Sequence, residues 1–204
     1  MKRLAIIGAS GHGKVVADVA IAAGVGSISF YDDKAPDIKR LGQFKVVGNT
    51  GDAIQDSGLY DSVIVAIGNA QTREKIQKQL VKVSSAIVHP ASVIGSDVHL
   101  GEGTVVMPGA IINAGVQIGS GAIINSGAVI EHDCCLGDFV HVCPNASIAG
   151  GVTIGSHSWI GIGASVIQSV LIGEYATVGA GAVVIHKVAD NQTVIGIPAK
   201  PTNK

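Results

Sequence analysis

Aliphatic residues recur at every sixth position through the second half of the chain. From Ala91 the sequence divides into hexads, ASVIGS, DVHLGE, GTVVMP, GAIINA and onward, and sixteen of them run to His186. The fourth residue is aliphatic in all sixteen, from Ile94, Leu100 and Val106 to Ile172, Val178 and Val184. The second is always Ala, Val, Ser, Thr or Cys. A period this short, held over 96 residues, predicts a parallel β-helix. Each hexad reads as a short strand and a tight turn, with the fourth side chain pointing inward and the small second residue letting the chain bend toward the axis. Three hexads make one triangular coil, so the set supplies about five coils, each burying its apolar stripe only against its neighbours.

Residues 1–84 lack this beat and read as a separate α/β domain, with the β-helix over 85–204. Leu4–Ile7 has the pattern of a buried parallel strand and runs into Gly8-Ala9-Ser10-Gly11-His12-Gly13. His12 to Ala23 then reads as a helix with Val15, Val16, Val19 and Ala20 on its apolar side. Ile28–Tyr31 is a second strand, ending at Asp32-Asp33, and Ser62–Ile67 a third, ending at Gly68-Asn69. Gln71–Val83 reads as a second helix. This is half of a doubly wound, Rossmann-like nucleotide fold. The stretch 43–60, with Val46-Val47-Gly48, reads as an added strand or loop beside the nucleotide.

The glycine loop would aim backbone N–H groups and a helix N-terminus at a ligand, which favours anions such as phosphate. The acidic pair Asp32-Asp33 would accept bonds from a ribose or a base. NAD is compatible with both, but the spacing is G-x-x-G-x-G rather than G-x-G-x-x-G, and the domain is too short for a second mononucleotide half. A turn needing glycine for its own sake explains the loop as well.

Net charge is −1 over 204 residues, so no basic field points to nucleic acid or to an anionic membrane. No apolar run reaches the length of a transmembrane helix. Cys134, Cys135 and Cys143 form an odd set without metal spacing and fit a reducing cytoplasm.

One stretch of the repeat carries the chemistry: Asn125-Ser126-Gly127-Ala128-Val129-Ile130-Glu131-His132-Asp133, with His141 nine residues on. His132 closes its hexad at a turn, where a side chain projects outward, and Asp133 follows it. His141 lies half a coil away, on another face or corner, so a site at a subunit boundary is the natural way for both histidines to meet one substrate. Acyl transfer from a thioester to an amine needs a base of suitable pKa, a carboxylate to steady the imidazolium, and a backbone N–H for the oxyanion; it needs no metal. A solvated turn histidine is the competing explanation. His89, His99, His157 and His186 read as ordinary turn or surface residues. Cys134 reads as packing and Cys135 and Cys143 as outward-facing; no His-to-Cys pairing is visible that would support an acyl-cysteine.

GASGHGKVVADVA at 8–20, YDD at 31–33, AIGN at 66–69, INSGAVIEHDCCLGDFVHVCPNASIAGGVTIG at 124–155 and GIPAK at 196–200 together resemble one family. It is the nucleotide-sugar N-acetyltransferases that modify 4-amino-4,6-dideoxyhexoses, with the related sialic-acid O-acetyltransferases. The resemblance spans essentially the whole chain and is sharpest at VIEHD…HV. It implies a left-handed β-helix, where the general rule for parallel crossovers would favour the right hand. It implies a homotrimer with active sites between adjacent β-helices, acetyl-CoA as co-substrate and a nucleotide sugar as acceptor. By the same resemblance His132 is the general base and Asp133 the acidic residue that tunes it, with a shorter arm than the Glu of some relatives. Asn125 lies near the reacting amine, His141 at the thioester, and Gly150 supplies an N–H to the thioester oxygen. Ile162 and Ala180 contact coenzyme A, with Ala180 standing where relatives carry Gly. Ser10, Gly11, His12, Asp32, Asp33, Gly68 and Arg73 form the nucleotide-sugar pocket; Arg73 would pair with a phosphate, unless it is simply solvated on its helix. The alternatives are a sialic-acid O-acetyltransferase on the same fold and a non-catalytic nucleotide-binding scaffold.

Overall fold

All sixteen hexads place a two-residue strand at their third and fourth positions, from Val93–Ile94 to Val183–Val184. In this computed structural model, which describes residues 2–202, each strand pairs in parallel with the one three hexads later. Ile112 lies beside Ile130, Ile130 beside Ile148, and Ile124 beside Val142. The coils wind into a left-handed prism with three sheets as its faces. The first face carries six strands, from Val93–Ile94 to Val183–Val184. The second carries five, from His99–Leu100 to Leu171–Ile172. The third begins at Ile87–Val88 and closes the far end with an antiparallel pair, Thr193–Ile195 against Lys200–Pro201.

Second- and fourth-position side chains fill the axis, from Val106 and Ala110 to Ala182 and Val184. The first coil is open, and Ile94 is still 38% exposed. The corners carry the strain. Every first-position residue from Asp97 to Gly181 has φ between +55° and +74°. Eight of these are Gly and seven are not: Asp97, Asp133, Phe139, Asn145, His157, Ser169 and Tyr175. Such a conformation costs a residue with a Cβ about 1–3 kcal/mol. Asp, Asn and His tolerate it best; Phe139 and Tyr175 need another reason to be there.

The N-terminal domain is a five-stranded sheet, β1 (Arg3–Ile7), β2 (Ser27–Tyr31), β3 (Arg40–Leu41), β4 (Phe44–Gly48) and β5 (Ser62–Val65), in the order β3-β4-β2-β1-β5. Only β3 runs antiparallel. Helix α1 (Gly11–Ala22) packs Val16, Ala17, Val19 and Ala20 into a cluster that also holds Ile87, Val105, Met107 and Ile123 of the third face. The domain core is therefore continuous with the outer surface of the prism. Residues 43–60 hold β4 and a second helix, α2 (Thr50–Asp56). A capping box starts α2: Asn49 accepts from the Asp52 N–H and Asp52 from that of Asn49. Helix α3 (Ala70–Gln77) ends six residues before the expected Val83, because Val83 pairs in extended form with Val63. Among the described residues no helix is long and apolar enough to cross a membrane.

Interior stacking predicts a steep penalty for a hole in the prism. Ile130→Ala, at a fully buried fourth position, should cost about 2–5 kcal/mol; a denaturant midpoint equal to the wild type would contradict the inward stacking.

Candidate active site

His132 ends the hexad that contains strand Val129–Ile130, at the corner between the first and second faces. Its Nδ1 lies 2.8 Å from Oδ2 of Asp133. Asp133 holds the left-handed corner, with φ of +59°, and this turns its carboxylate back beside the imidazole. A carboxylate can only accept, so Nδ1 carries a proton, and in the neutral ring the lone pair is on Nε2. Gly150 stacks beneath His132, eighteen residues on in the next coil. A methyl group at 150 would meet the His132 Nε2 at 2.6 Å, so glycine there makes room for the ring. The Gly150 N–H is not among the ladder bonds between coils. Both side chains of the dyad are open to solvent in the single chain.

A second group lies where the α/β sheet meets the third face. The loop after β1 and the loop after β5 flank it, at the carboxyl ends of adjacent strands. Gly8 has φ of +111°, and a side chain there would strike the Ala66 carbonyl at 2.7 Å; one at Gly13 would strike the Gly8 carbonyl at 2.1 Å. Those two glycines serve packing. Gly11 and Gly68 differ, for nothing lies within 4 Å of a Cβ at either, so their bare backbones face open space. Ser10 is exposed beside them. Asp32 pins the loop by accepting from the N–H groups of Ala9 (2.7 Å) and Lys34 (2.9 Å). Asp33 points the other way and accepts from the Thr50 N–H at 3.0 Å; that bond holds its carboxyl below the usual range.

The floor of this cleft is aromatic. His141, from the third face, is only 7% exposed. Its ring lies 4.3 Å from that of Trp159, one coil on, and 6.4 Å from that of His12. Its Nε2 is 3.1 Å from Asn125 Nδ2. Burial, and then the charge of Arg73, hold His141 down to about 3 and His12 to about 4.

Arg73 is not a phosphate ligand and not solvated. It is 1% exposed. Its guanidinium donates to the carbonyls of Gly121 and Phe139 in the prism and of Ile67 and Gly68 in the α/β domain, at 2.7–3.0 Å. It bolts the two domains together. Beside it Phe139, His157 and Tyr175, three left-handed corner residues in successive coils, form a stack with ring separations of 5.6 and 4.5 Å. His157 is therefore no surface residue; its Nε2 lies 2.9 Å from Glu74 Oε2 of α3. This stack explains the strained Phe139 and Tyr175. Cys143 is also buried rather than outward-facing, because the α/β domain covers the third face, and burial pushes its thiol up to about 12. Cys134 packs inward and Cys135 is exposed.

One chain thus holds the expected residues in two separate groups. His132, Asp133 and Gly150 occupy one corner. Ser10, Gly11, His12, Asp32, Gly68, Asn125 and His141 gather at the third face. Ile162 and Ala180 stand in one column on the corner between the third and first faces, with Ile162 59% exposed. Sequence reasoning missed Trp159, Phe139, Tyr175 and Glu74. The eighteen-residue spacings His141–Trp159 and Phe139–His157–Tyr175 were a signal, since the coil length stacks them. A depression of about 580 Å³ runs along the second face and contains none of the expected site residues.

The PglD N-terminal domain family matches residues 3–80, and the bacterial transferase hexapeptide family matches 97–132 and 151–186. The chain is 38% identical to the acetyltransferase domain of PglB from Neisseria gonorrhoeae FA1090, solved with acetyl coenzyme A, over 98% of this chain and 99% of that one, with a TM-score of 0.94. It is 36% identical to PerB from Caulobacter crescentus, solved with CoA and GDP-perosamine, over 100% and 98%, with a TM-score of 0.92. WeeI from Acinetobacter baumannii AYE is 29% identical over 99% and 100%, with a TM-score of 0.88. The search of curated proteins returned no match.

The two neutral histidines fix a pH dependence. In the unfolded chain both take protons near the ordinary value of 6.5, in the folded chain only near 4 and 3. The unfolded state holds more protons across that window, so stability falls on acidification below about 6.5. Thermal midpoints measured across this range should drop toward acid, and His141→Asn should flatten the slope; an equal slope in that variant would contradict the burial of a neutral His141.

Proposed function

We propose that this chain, which belongs to the PglD-like hexapeptide-repeat nucleotide-sugar N-acetyltransferases, uses His132 as the general base that delivers a sugar amine to acetyl-CoA. The chain is an acetyl-CoA-dependent N-acetyltransferase, and its acceptor is the 4-amino group of a nucleotide-linked 4-amino-4,6-dideoxy sugar. The observation that carries the assignment of His132 is the dyad itself. Asp133 occupies Nδ1, so the free lone pair of Nε2 is turned outward over Gly150.

The chemistry is direct transfer. As the sugar nitrogen attacks the acetyl carbonyl, its proton passes to Nε2 of His132. The Asp133 carboxylate steadies the imidazolium. The oxyanion is met by a backbone N–H, for which Gly150 is placed beside the base. The tetrahedral intermediate then breaks its C–S bond, and coenzyme A leaves as a thiol with the proton from His132. The nucleotide occupies the cleft of Ser10, Gly11, His12 and Asp32, approached over the bare backbones of Gly11 and Gly68. Asp33, tied to Thr50, is at most an outer member of that pocket. Ile162 and Ala180 offer an apolar edge to coenzyme A.

The division into half-sites supports assembly as a homotrimer, with His132 of one prism facing the cleft or the coenzyme edge of the next. Such an enzyme draws acetyl-CoA and nucleotide sugar from one compartment, and three free thiols fit a cytoplasmic one.

A screen of 4-amino nucleotide sugars with acetyl-CoA, followed by mass detection, should yield a product heavier by one acetyl group. His132→Ala should lower kcat by roughly 10²–10⁴-fold with little change in nucleotide-sugar affinity; full turnover by that variant would remove His132 as the base. Shared sites make a further demand. Co-refolded His132→Ala and Gly11→Trp chains, each inactive alone, should regain activity by forming some intact sites between subunits. No recovery in a mixed oligomer would place the whole site on one chain.

A further inference from the structure

We infer that Asn125 is a positioning residue that fixes His141 as the Nδ1–H tautomer, a neutral hydrogen-bond donor to a ligand oxygen at the floor of the cleft. The inference deepens the function proposed above, and its geometry is independent of that reading. Asn125 Oδ1 accepts from the Ser126 N–H at 2.9 Å, which fixes which end of the amide is which. Its NH₂ group therefore faces His141 Nε2 at 3.1 Å. Two donors cannot share that contact, so Nε2 must offer its lone pair and the ring proton must sit on Nδ1.

That Nδ1 is buried and finds no acceptor among the described residues. A buried donor left unmet is destabilising, and this one sits in a residue that is itself only 7% exposed. The ring cannot relieve the cost by taking a second proton. The titratable and charged groups around it are the Arg73 guanidinium and the His12 ring; the fixed charge of Arg73 opposes protonation, and His12, held low by burial and by Arg73, brings no counter-charge. The Trp159 ring covers one side of the imidazole. With no acceptor among the described residues, the donor is left for an oxygen brought in from outside. His12 Nε2 is buried and unmet in the same place, which marks the spot as built for a polar visitor.

The tautomer can be read in the free protein by two-bond ¹H–¹⁵N correlation spectra of ¹⁵N-histidine-labelled chain. His141 should show a protonated Nδ1 and a bare Nε2, unchanged between about pH 5 and 8. Asn125→Asp replaces the donor by an acceptor, so the proton should move to Nε2. A structural role alone would not move a proton between ring nitrogens. An Nε2–H tautomer in the wild type, or titration near neutrality, would overturn the inference. Adding acetyl-CoA alone and nucleotide sugar alone distinguishes which co-substrate supplies the oxygen: the one that does so shifts the Nδ1–H resonance, and no shift with either would remove the ligand contact. Asn125→Asp should also lower kcat/KM for that co-substrate about tenfold. Because the spectra of the free protein need no turnover, absence of acetyl transfer would defeat the proposed function and leave the tautomer standing.

Discussion

The β-helix and the groups arranged on it follow from the eighteen-residue register of its coils. Once Ile112 must lie beside Ile130 and Ile130 beside Ile148, every outward residue inherits fixed neighbours one coil above and below. The ladder bonds and the axial aliphatic column enforce that spacing, and function is arranged along it. Gly150 is the space under His132. Trp159 is the wall beside His141. Phe139, His157 and Tyr175 become a stack only because three left-handed corners coincide in one column. Strain at those corners is offset by contacts that the same register makes unavoidable.

The second constraint is a buried charge. Arg73 would be costly in the junction without partners, and it has four carbonyls drawn equally from the two domains. The bolt also acts at a distance of one side chain. Burial first, and then this charge, opposes protonation of His12 and His141 and keeps two imidazoles neutral at the cleft floor, where they can act as hydrogen-bonding groups rather than as cations. A joint that serves packing thereby adds to the electrostatics of the site.

Local periodicity made the coils of the prism and the inward fourth residue of each hexad legible, because in a coil of this kind local sequence and tertiary contact are the same thing. The α/β domain was legible where strands and helices bury one face against their own sheet. It was misread where contacts come from far along the chain. Helix α3 was drawn too long, since Val83 pairs with Val63 rather than continuing a helical face. Helix α2 was missed although Asn49 and Asp52 spell its capping box. Arg73 looked like a phosphate ligand because its acceptors, Gly121 and Phe139, lie 48 and 66 residues away. His157 and Cys143 looked exposed because nothing in a hexad says which face the other domain will cover. The dyad of His132 and Asp133 was legible because adjacent residues at a corner form their bond locally.

The central claim is that two copies of the chain complete one site. It is tested most directly by a crystal structure of the oligomer with coenzyme A and an amino nucleotide sugar bound together. The account predicts that the sugar nitrogen lies within hydrogen-bond reach of His132 Nε2, with the ligands touching residues of two prisms. A complex in which the His132 ring turns away from the amine, or in which one chain alone surrounds both ligands, would contradict it.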